Sequence, residues 1–235
     1  MRSFHKQIAR IGLSVLDQFG FVLAGGYAMS AHGIGNRPSM DVDLFTDRND
    51  PRDFLRAKKA FVEAMEDSGL IVAVRNDAEL FFDVLINDPI RGESGEIQLA
   101  YDYRLCTPVV LSIGPVLDIH DAAGAKMSAL YSRGEARDYV DIFHAVESDA
   151  FTLDQLIELA DEREAFPMDR GILINRFRSL FRHSAEAFVA YDINPTDRLR
   201  MIAQFNYWAT HIESRDSQSF DQPDCLLNRD YDPQS

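Results

Sequence analysis

Two aspartates separated by one residue are the first candidates for chemistry in this sequence. Asp41 and Asp43 flank Val42 at the start of a predicted strand, and the alternation of side chains along a strand places both carboxylates on one face. Like charges held this close repel each other, and a divalent cation with oxygen ligands is the usual means of stabilising them. The pair therefore predicts a site for Mg²⁺ or Mn²⁺, although an isolated pair of this kind is more often a solvated strand end or a helix cap.

Two adjacent glycines upstream strengthen the prediction of a site. Gly25 and Gly26 follow the apolar run 21–24 and precede a segment compatible with a helix, which predicts a strand, a glycine turn and a short helix. Backbone N–H groups at such a turn can meet phosphate oxygens, and glycine permits the close approach. A tight turn with positive φ would explain the glycines equally well. Together the turn and the aspartates predict a site for a triphosphate and a metal ion.

The segment that holds both features resembles a known motif. Residues 21–45, FVLAGGYAMSAHGIGNRPSMDVDLF, resemble the first motif of the DNA polymerase β-like nucleotidyltransferases in spacing as well as residue type. The resemblance implies that Gly25 and Gly26 contact the nucleoside triphosphate. It also implies that the two aspartates hold the metal ions that activate the attacking hydroxyl. Arg37 and Ser39 closely precede the aspartates and are further candidates for phosphate contact.

A second segment narrows the resemblance to one family. Residues 126–143, KMSALYSRGEARDYVDIF, are similar to the AbiEii and AbiGii toxin-like nucleotidyltransferases, which are also grouped with the MenT toxins. The matching positions are Lys126, Arg133, Arg137, Asp138 and Asp141. The resemblance covers about residues 20–145. It implies that Lys126 and Arg133 bind the triphosphate, with Lys126 also in the catalytic set, and that Asp138 or Asp141 supports catalysis. From spacing alone, the lysine and the first arginine share one helix face, and the acids fit a surface ion network equally well.

One position departs from the pattern of the superfamily. Relatives commonly supply a third carboxylate from a later strand, and here the strand GEIQLAYDYR places Gln98 near its centre. The alternatives are Glu96, Asp102 and Asp83, the last because a carboxylate inside the apolar stretch LFFDVLI is costly unless it is paired or metal-bound. The sequence does not choose among them, and a degraded active site without a third carboxylate stays open.

The elements that position these residues predict an α+β fold. Helical periodicity predicts helices near 3–18 and 51–68, and apolar or β-branched stretches predict strands at 21–24, 42–46, 70–74, 80–86, 97–103 and 109–113. Beyond residue 117 we expect helices alone, at 119–132, 135–147, 153–164, 169–190 and 196–213. The prediction is a polymerase β-like nucleotidyltransferase core with a mixed sheet flanked by helices (1–117), an all-α C-terminal domain (118–212) and a flexible acidic tail (213–235).

Charge and composition limit the classes of function. The formal net charge of −14 argues against non-specific nucleic-acid binding over the whole surface, so a polyanionic acceptor needs a local basic patch. Several arginines interleave with aromatic residues and could receive an RNA end, although core aromatics beside solvated arginines explain the pattern better: Arg176, Phe177, Arg178, Phe181, Arg182, Arg198, Arg200 and Tyr207. The two cysteines, Cys106 and Cys225, and the six histidines show no metal-ligand spacing. No apolar run is long enough for a membrane span and no signal-peptide core is present, which predicts a cytoplasmic protein without a membrane partner.

These observations predict a toxin-like nucleotidyltransferase. It would transfer a nucleoside monophosphate from an NTP substrate to an acceptor hydroxyl, with pyrophosphate leaving. The resemblance implies the 3′ end of tRNA as acceptor, with inhibition of translation and growth, and a cognate antitoxin protein as partner. Two alternatives stay open: nucleotidylation of a small cationic molecule, as in antibiotic-modifying relatives, and a nucleotide-binding module without turnover.

Overall fold

The first half of the chain alternates helices and strands. The computed structural model describes residues 1–35 and 37–220, with side chains described to residue 215. The elements begin with α1 (Ser3–Leu16), β1 (Val22–Leu23), α2 (Gly25–Ala31), β2 (Asp41–Thr46) and α3 (Pro51–Asp67). Asp50 caps α3 by accepting from the backbone N–H groups of its first turn, and Pro51 stands at the first helical position.

Five further strands complete a seven-stranded mixed sheet. They are β3 (Ile71–Ala78), β4 (Phe81–Asp88), β5 (Glu93–Tyr101), β6 (Val109–Leu111) and β7 (Gly114–Val116), and the sheet order is β3-β4-β5-β2-β1-β7-β6. The pairs β2–β5 and β1–β7 are parallel and the others are antiparallel, which confirms the predicted mixed sheet. The single strand predicted at 109–113 is instead a hairpin of two short strands.

One face of the sheet is buried and the other is partly open. Along β2 the side chains of Val42 and Leu44 are fully buried, and those of Asp41 and Asp43 alternate with them. α1 packs close to β2 on the buried face, since a Cβ added to Gly12 would lie 2.9 Å from Leu44 Cδ1. The aspartates therefore stand on the opposite face, towards the C-terminal helices.

The second half of the described chain is helical, as predicted. Its elements are α4 (Ile119–Ser132), α5 (Ala136–Glu147), α6 (Leu153–Arg163), α7 (Arg170–Arg178), α8 (Glu186–Val189) and α9 (Pro195–Phe220). The single helix predicted at 169–190 is wrong, because the chain leaves α7 through a 3-10 turn before α8. Arg198 donates to the carbonyls of Phe181 and His183, so side-chain bonds satisfy backbone groups that a continuous helix would have used.

The C-terminal helix extends past its expected end. α9 continues to Phe220, and ion pairs hold it to its neighbours: Glu213 with Arg178 of α7 at 2.6 Å, and Arg215 with Asp154 of α6 at 2.7 Å. The first residues of the predicted tail are thus helical, and residues 221–235 lie outside the described part of the chain. The expected domain boundary at 117–118 falls between β7 and α4, and separate folding of the two parts stays a prediction. Within the described residues, no helix combines the length and the apolar character that crossing a bilayer requires.

Candidate active site

The two aspartates of β2 lie beside the glycine turn that opens α2. Gly25 adopts a φ of +60°, and a Cβ at this position would overlap Asp43 Oδ2. A Cβ at Gly26 would lie 3.0 Å from Ser39 Oγ. The Ala24 N–H donates to the carbonyl of Asp43 at 2.8 Å, which ties the turn to β2. Both glycines are therefore needed for the backbone to approach the aspartates, and first-turn N–H groups of α2 lie at the same place.

A cavity of about 210 Å³ opens at this point between the sheet and the helical half. Most of the residues that the sequence nominated line it, namely Gly25, Gly26, Arg37, Ser39, Asp41, Asp43, Lys126 and Arg133. Arg137 lines it too, and its Nη1 lies 3.6 Å from Asp41 Oδ2. The sequence placed Arg137 in the family pattern but gave it no role in the site. Four cationic side chains thus surround the carboxylate pair.

Asp43 is the most perturbed group of the cavity. Burial raises the pKa of Asp43 to about 6, and repulsion from Asp41 adds to the rise. Lys126, Arg137 and Arg133 act in the opposite direction without cancelling it. Two carboxylates on one strand face offer the oxygen ligands that Mg²⁺ and Mn²⁺ take, so the residues present fit a hard divalent cation.

Asp141 does not line the cavity but holds two of its cations. Its carboxylate accepts from Arg37 Nε at 2.5 Å and Nη2 at 2.7 Å, and lies 3.0 Å from Lys126 Nζ. Burial alone would raise the pKa of Asp141, but Lys126 and Arg37 outweigh it and hold the pKa below its ordinary value. Arg37 also stacks over Tyr191, with 5.3 Å from its Cζ to the ring centre. Asp141 thus ties Arg37 and Lys126 together through one buried carboxylate.

Asp138 has the same kind of role for Arg133. The Asp138 side chain is fully buried and accepts from Arg133 Nε at 3.0 Å and Nη2 at 2.8 Å. Its Oδ2 also accepts the Glu135 N–H at 3.0 Å, which completes a capping box at the start of α5. Asp138 and Asp141 thus form ion pairs with arginine and lysine side chains and do not line the cavity, and the supporting catalytic role expected for one of them stays a prediction.

The register of the sheet distinguishes the candidates for a third carboxylate. Gln98 of β5 lies directly across from Asp43 and lines the cavity. Glu96 and Asp83 are outside its lining and share Arg75, whose Nη1 lies 2.5 Å from Glu96 and whose Nε lies 3.5 Å from Asp83. Asp102 lines the cavity and pairs with Arg163 at 2.9 Å, and burial raises the pKa of its carboxyl. Among the three, Asp102 alone reaches the cavity.

The arginine-rich segment of α7 to α9 is largely engaged within the protein. Arg176 donates to the carbonyls of residues 131 and 132, and Arg178 pairs with Glu213. Arg200 pairs with Glu147 and Asp197. Phe177 is a core residue, whereas Phe181 and Tyr207 are exposed. These contacts favour a structural role for most of the arginines in this segment. They do not favour a basic surface that binds the RNA backbone.

Known proteins similar to this chain share this architecture. Residues 15–222 match the family described as "Nucleotidyl transferase AbiEii toxin, Type IV TA system". The chain is similar in fold to the crystal structure of JHP933 from Helicobacter pylori, at 17% identity and a TM-score of 0.56, covering 92% of this chain and 94% of that one. It is also similar to the nucleotidyltransferase toxin MenT4 from Mycobacterium tuberculosis, at 14% identity and a TM-score of 0.54, covering 92% and 86% of the two chains. The chain matches no curated relative in sequence.

Proposed function

The chain belongs to the AbiEii family of nucleotidyltransferase toxins, and we propose that it transfers a nucleoside monophosphate from an NTP to an acceptor hydroxyl, releasing pyrophosphate. The observation that carries the proposal is the cavity in which Asp41 and Asp43 meet a glycine turn and four cationic side chains. Phosphoryl-group transfer depends mainly on positioning and charge stabilisation. The carboxylate pair and the four cationic side chains that line the same cavity meet both requirements.

Asp41 and Asp43 would hold Mg²⁺ or Mn²⁺. Their oxygen donors suit a hard cation, and a bound ion would offset the repulsion between the two carboxylates. When bound, such an ion supplies Lewis-acid activation of the acceptor hydroxyl and neutralises charge on the phosphates.

The cationic residues of the cavity would bind the triphosphate. Lys126 and Arg37 are fixed by the buried Asp141, and Arg133 is fixed by the buried Asp138. Because these side chains are oriented before the nucleotide arrives, little conformational entropy is lost on binding. Gly25 and Gly26 let the phosphates approach the backbone, and Ser39 donates to Asp41 at 3.3 Å, which orients that carboxylate.

The acceptor we propose is the 3′ end of tRNA, with inhibition of translation and growth as the consequence and a cognate antitoxin as the cellular partner. The support is membership of a toxin family. Two observations favour other acceptors or none. The net charge of −14 suits a small cationic acceptor, and Gln98 opposite Asp43 suits a nucleotide-binding module without turnover.

Label transfer with matched acceptors separates these possibilities. The full chain is incubated with each α-labelled NTP, Mg²⁺ or Mn²⁺, and either total tRNA, periodate-oxidised tRNA or a panel of cationic amino sugars. Label on intact but not oxidised tRNA supports the tRNA proposal, because oxidation destroys the terminal hydroxyls. Label on an amino sugar overturns it in favour of the small-molecule acceptor. Nucleotide binding without any transfer overturns both.

A further inference from the structure

Three side chains of different metal-ligand types converge outside the cavity, where the loop after β5 meets the start of α4. Cys106, Asp118 and His120 each offer one ligand atom, and these atoms all lie within 4.8 Å of one another. Cys106 and Asp118 are half-buried and His120 is exposed. The spacing of these residues in the sequence did not indicate a metal site, because the β6–β7 hairpin separates Cys106 from the other two. The expectation that no cysteine takes part in a metal site rested on that spacing.

We propose that Cys106, Asp118 and His120 bind a transition-metal ion of the zinc type, at a site distinct from the carboxylate pair of β2. Thiolate, imidazole and carboxylate are the three ligand types that zinc uses in proteins. The thiolate and the imidazole also discriminate against Mg²⁺, which takes oxygen ligands. Three protein ligands leave the fourth tetrahedral position to water. The ligand atoms lie within 4.8 Å of one another, so rotation of side chains rather than a change of fold would bring them to metal-bonding distances.

The backbone holds both sides of this three-residue site in place. On the loop side, the N–H groups of Leu105 and Cys106 donate to the two oxygens of the buried Asp121, at 2.9 and 2.8 Å. On the helix side, Asp118 caps α4 and its Oδ1 accepts the His120 N–H at 2.9 Å. His120 Nδ1 lies 2.8 Å from the same oxygen. The ligands are thus carried on short, anchored segments, which lowers the entropy lost when they close on an ion.

The charge around Cys106 favours a cation. The carboxylate of the buried Asp121 accepts from the Cys106 N–H at 2.8 Å, and Asp118 is itself a member of the cluster, so two acidic side chains stand beside the sulfur. Binding of the sulfur as a thiolate releases the thiol proton to solvent, and the contact between His120 Nδ1 and Asp118 Oδ1 is given up so that the carboxylate and a neutral imidazole nitrogen can each donate a lone pair.

A bound ion would link two walls of the nucleotide cavity. The loop that carries Cys106 also carries Asp102, which lines the cavity, and α4 carries Lys126. Arg163 already joins these parts, since it pairs with Asp102 at 2.9 Å and with Asp121 at 3.1 Å. The metal would add a second connection between the loop and α4. We expect it to stabilise the fold rather than to take part in transfer.

Cobalt serves as the spectroscopic probe for this three-residue site. Co²⁺ is titrated into the full, reduced chain, and the thiolate-to-metal charge-transfer absorption is followed. The proposal predicts one such Co²⁺ per chain, displaced by Zn²⁺ but not by excess Mg²⁺. It also predicts that Cys225→Ser keeps the band and Cys106→Ser loses it. A titration without the band, or a band that follows Cys225, would overturn the proposal.

Two further variants check the ligand set and separate this site from the proposed function. His120→Ala changes an exposed side chain, so the fold should persist while Co²⁺ affinity falls at least about tenfold, the loss that even an outer-shell change commonly causes. Unchanged affinity in His120→Ala would contradict the assignment. Asp43→Asn should leave the thiolate-to-metal charge-transfer band as it is in the unsubstituted chain. The cobalt result therefore stands whether or not nucleotidyl transfer is found.

Discussion

Asp43 is a residue at which an isolated negative charge is unfavourable. Its side chain is packed against the glycine turn of Gly25 and lies on the same strand face as Asp41. The structure therefore keeps a carboxylate where an amide would be more stable in the absence of metal. Retaining such an unfavourable charge is typical of a functional site, since stability alone would select against it.

Replacing Asp43 with Asn should stabilise the metal-free protein in a pH-dependent way. The folded-state pKa of Asp43 is raised to about 6 from an ordinary value of 3.8. Ionisation of Asp43 therefore lowers the free energy of unfolding by its full amount above about pH 6. This loss disappears as the pH falls towards 4, because the carboxyl is then protonated in the folded protein. At about pH 8 Asp43→Asn should add up to about 3 kcal/mol to the free energy of unfolding, and at pH 4 almost nothing. Urea unfolding in EDTA at the two pH values measures this, and a gain that does not change with pH would contradict it.

Gly25→Ala should abolish transfer, whereas a matched glycine variant should not. Gly25 and Gly69 have φ values of +60° and +77°, so alanine strains the backbone at both positions. At Gly25 the new Cβ would overlap Asp43 Oδ2, whereas at Gly69 it meets nothing within 4 Å. We expect transfer to fall about 100-fold or more in Gly25→Ala alone, because small displacements of reacting groups cost that much. Similar losses of transfer in both variants, at equal thermal stability, would count against the proposed geometry.

At the scale of elements, α4 and α5 supply part of the cationic lining of the cavity, and α5 supplies the acids that pair with it. Lys126 comes from α4, and Asp138 and Asp141 come from α5 one turn apart. Asp141 reaches Arg37, which lies on the loop before β2. The helical half and the sheet half are therefore joined through a buried ion network at the site itself.

Asp141→Asn should weaken nucleotide binding and destabilise the fold. Removing the charge leaves Arg37 and Lys126 without their buried partner, which costs about 3 to 5 kcal/mol. Because Asp141 acts through those cations, the KM for NTP should rise more than kcat falls, and Asp141→Glu should restore part of the loss. Asp154→Asn is the control, since its pair with Arg215 is exposed and contributes less than about 1 kcal/mol. Steady-state kinetics and urea unfolding measure both effects, and an unchanged KM in Asp141→Asn would refute the positioning role.

The sequence predicted the secondary-structure elements better than it predicted the side-chain contacts between them. Alternation along β2 placed both aspartates on one face, and the helix expected at 119–132 has the observed bounds of α4. Both are local properties of the chain. The partners of Asp138 and Asp141, the break after α7 and the approach of Cys106 to His120 depend on tertiary contacts between distant segments, which spacing does not encode. The family pattern marked Arg137, but its position beside Asp41 depends on the tertiary contact between α5 and β2.

At the scale of the whole molecule, charge limits how an RNA could bind. The chain carries a net charge of −14, and most arginines of α7 to α9 are engaged in internal contacts. The described part of α7 to α9 therefore offers few arginines for phosphate contacts outside the nucleotide cavity. A tRNA acceptor would enter mainly through its single-stranded 3′ end.

The KM for tRNA should accordingly depend only weakly on salt. Proteins that contact six to ten phosphates lose roughly 10³ to 10⁵ in affinity between 50 and 200 mM salt. With one or two contacts, we expect the KM to rise less than about tenfold over the same range. Initial rates of label transfer at several KCl concentrations measure this slope. A steep slope would reveal a basic track that the described residues do not show.

The origin of the transferred phosphate tests the central claim most directly. Parallel reactions contain the same NTP labelled at either the α- or the γ-phosphate, with the full chain, its Asp43→Asn variant, Mg²⁺ and total tRNA. Nucleotidyl transfer predicts that α-label enters the RNA, that γ-label appears only in pyrophosphate, and that Asp43→Asn abolishes both. Transfer of γ-label to the acceptor, or equal transfer by the variant, would contradict a nucleotidyltransferase site built on Asp41 and Asp43.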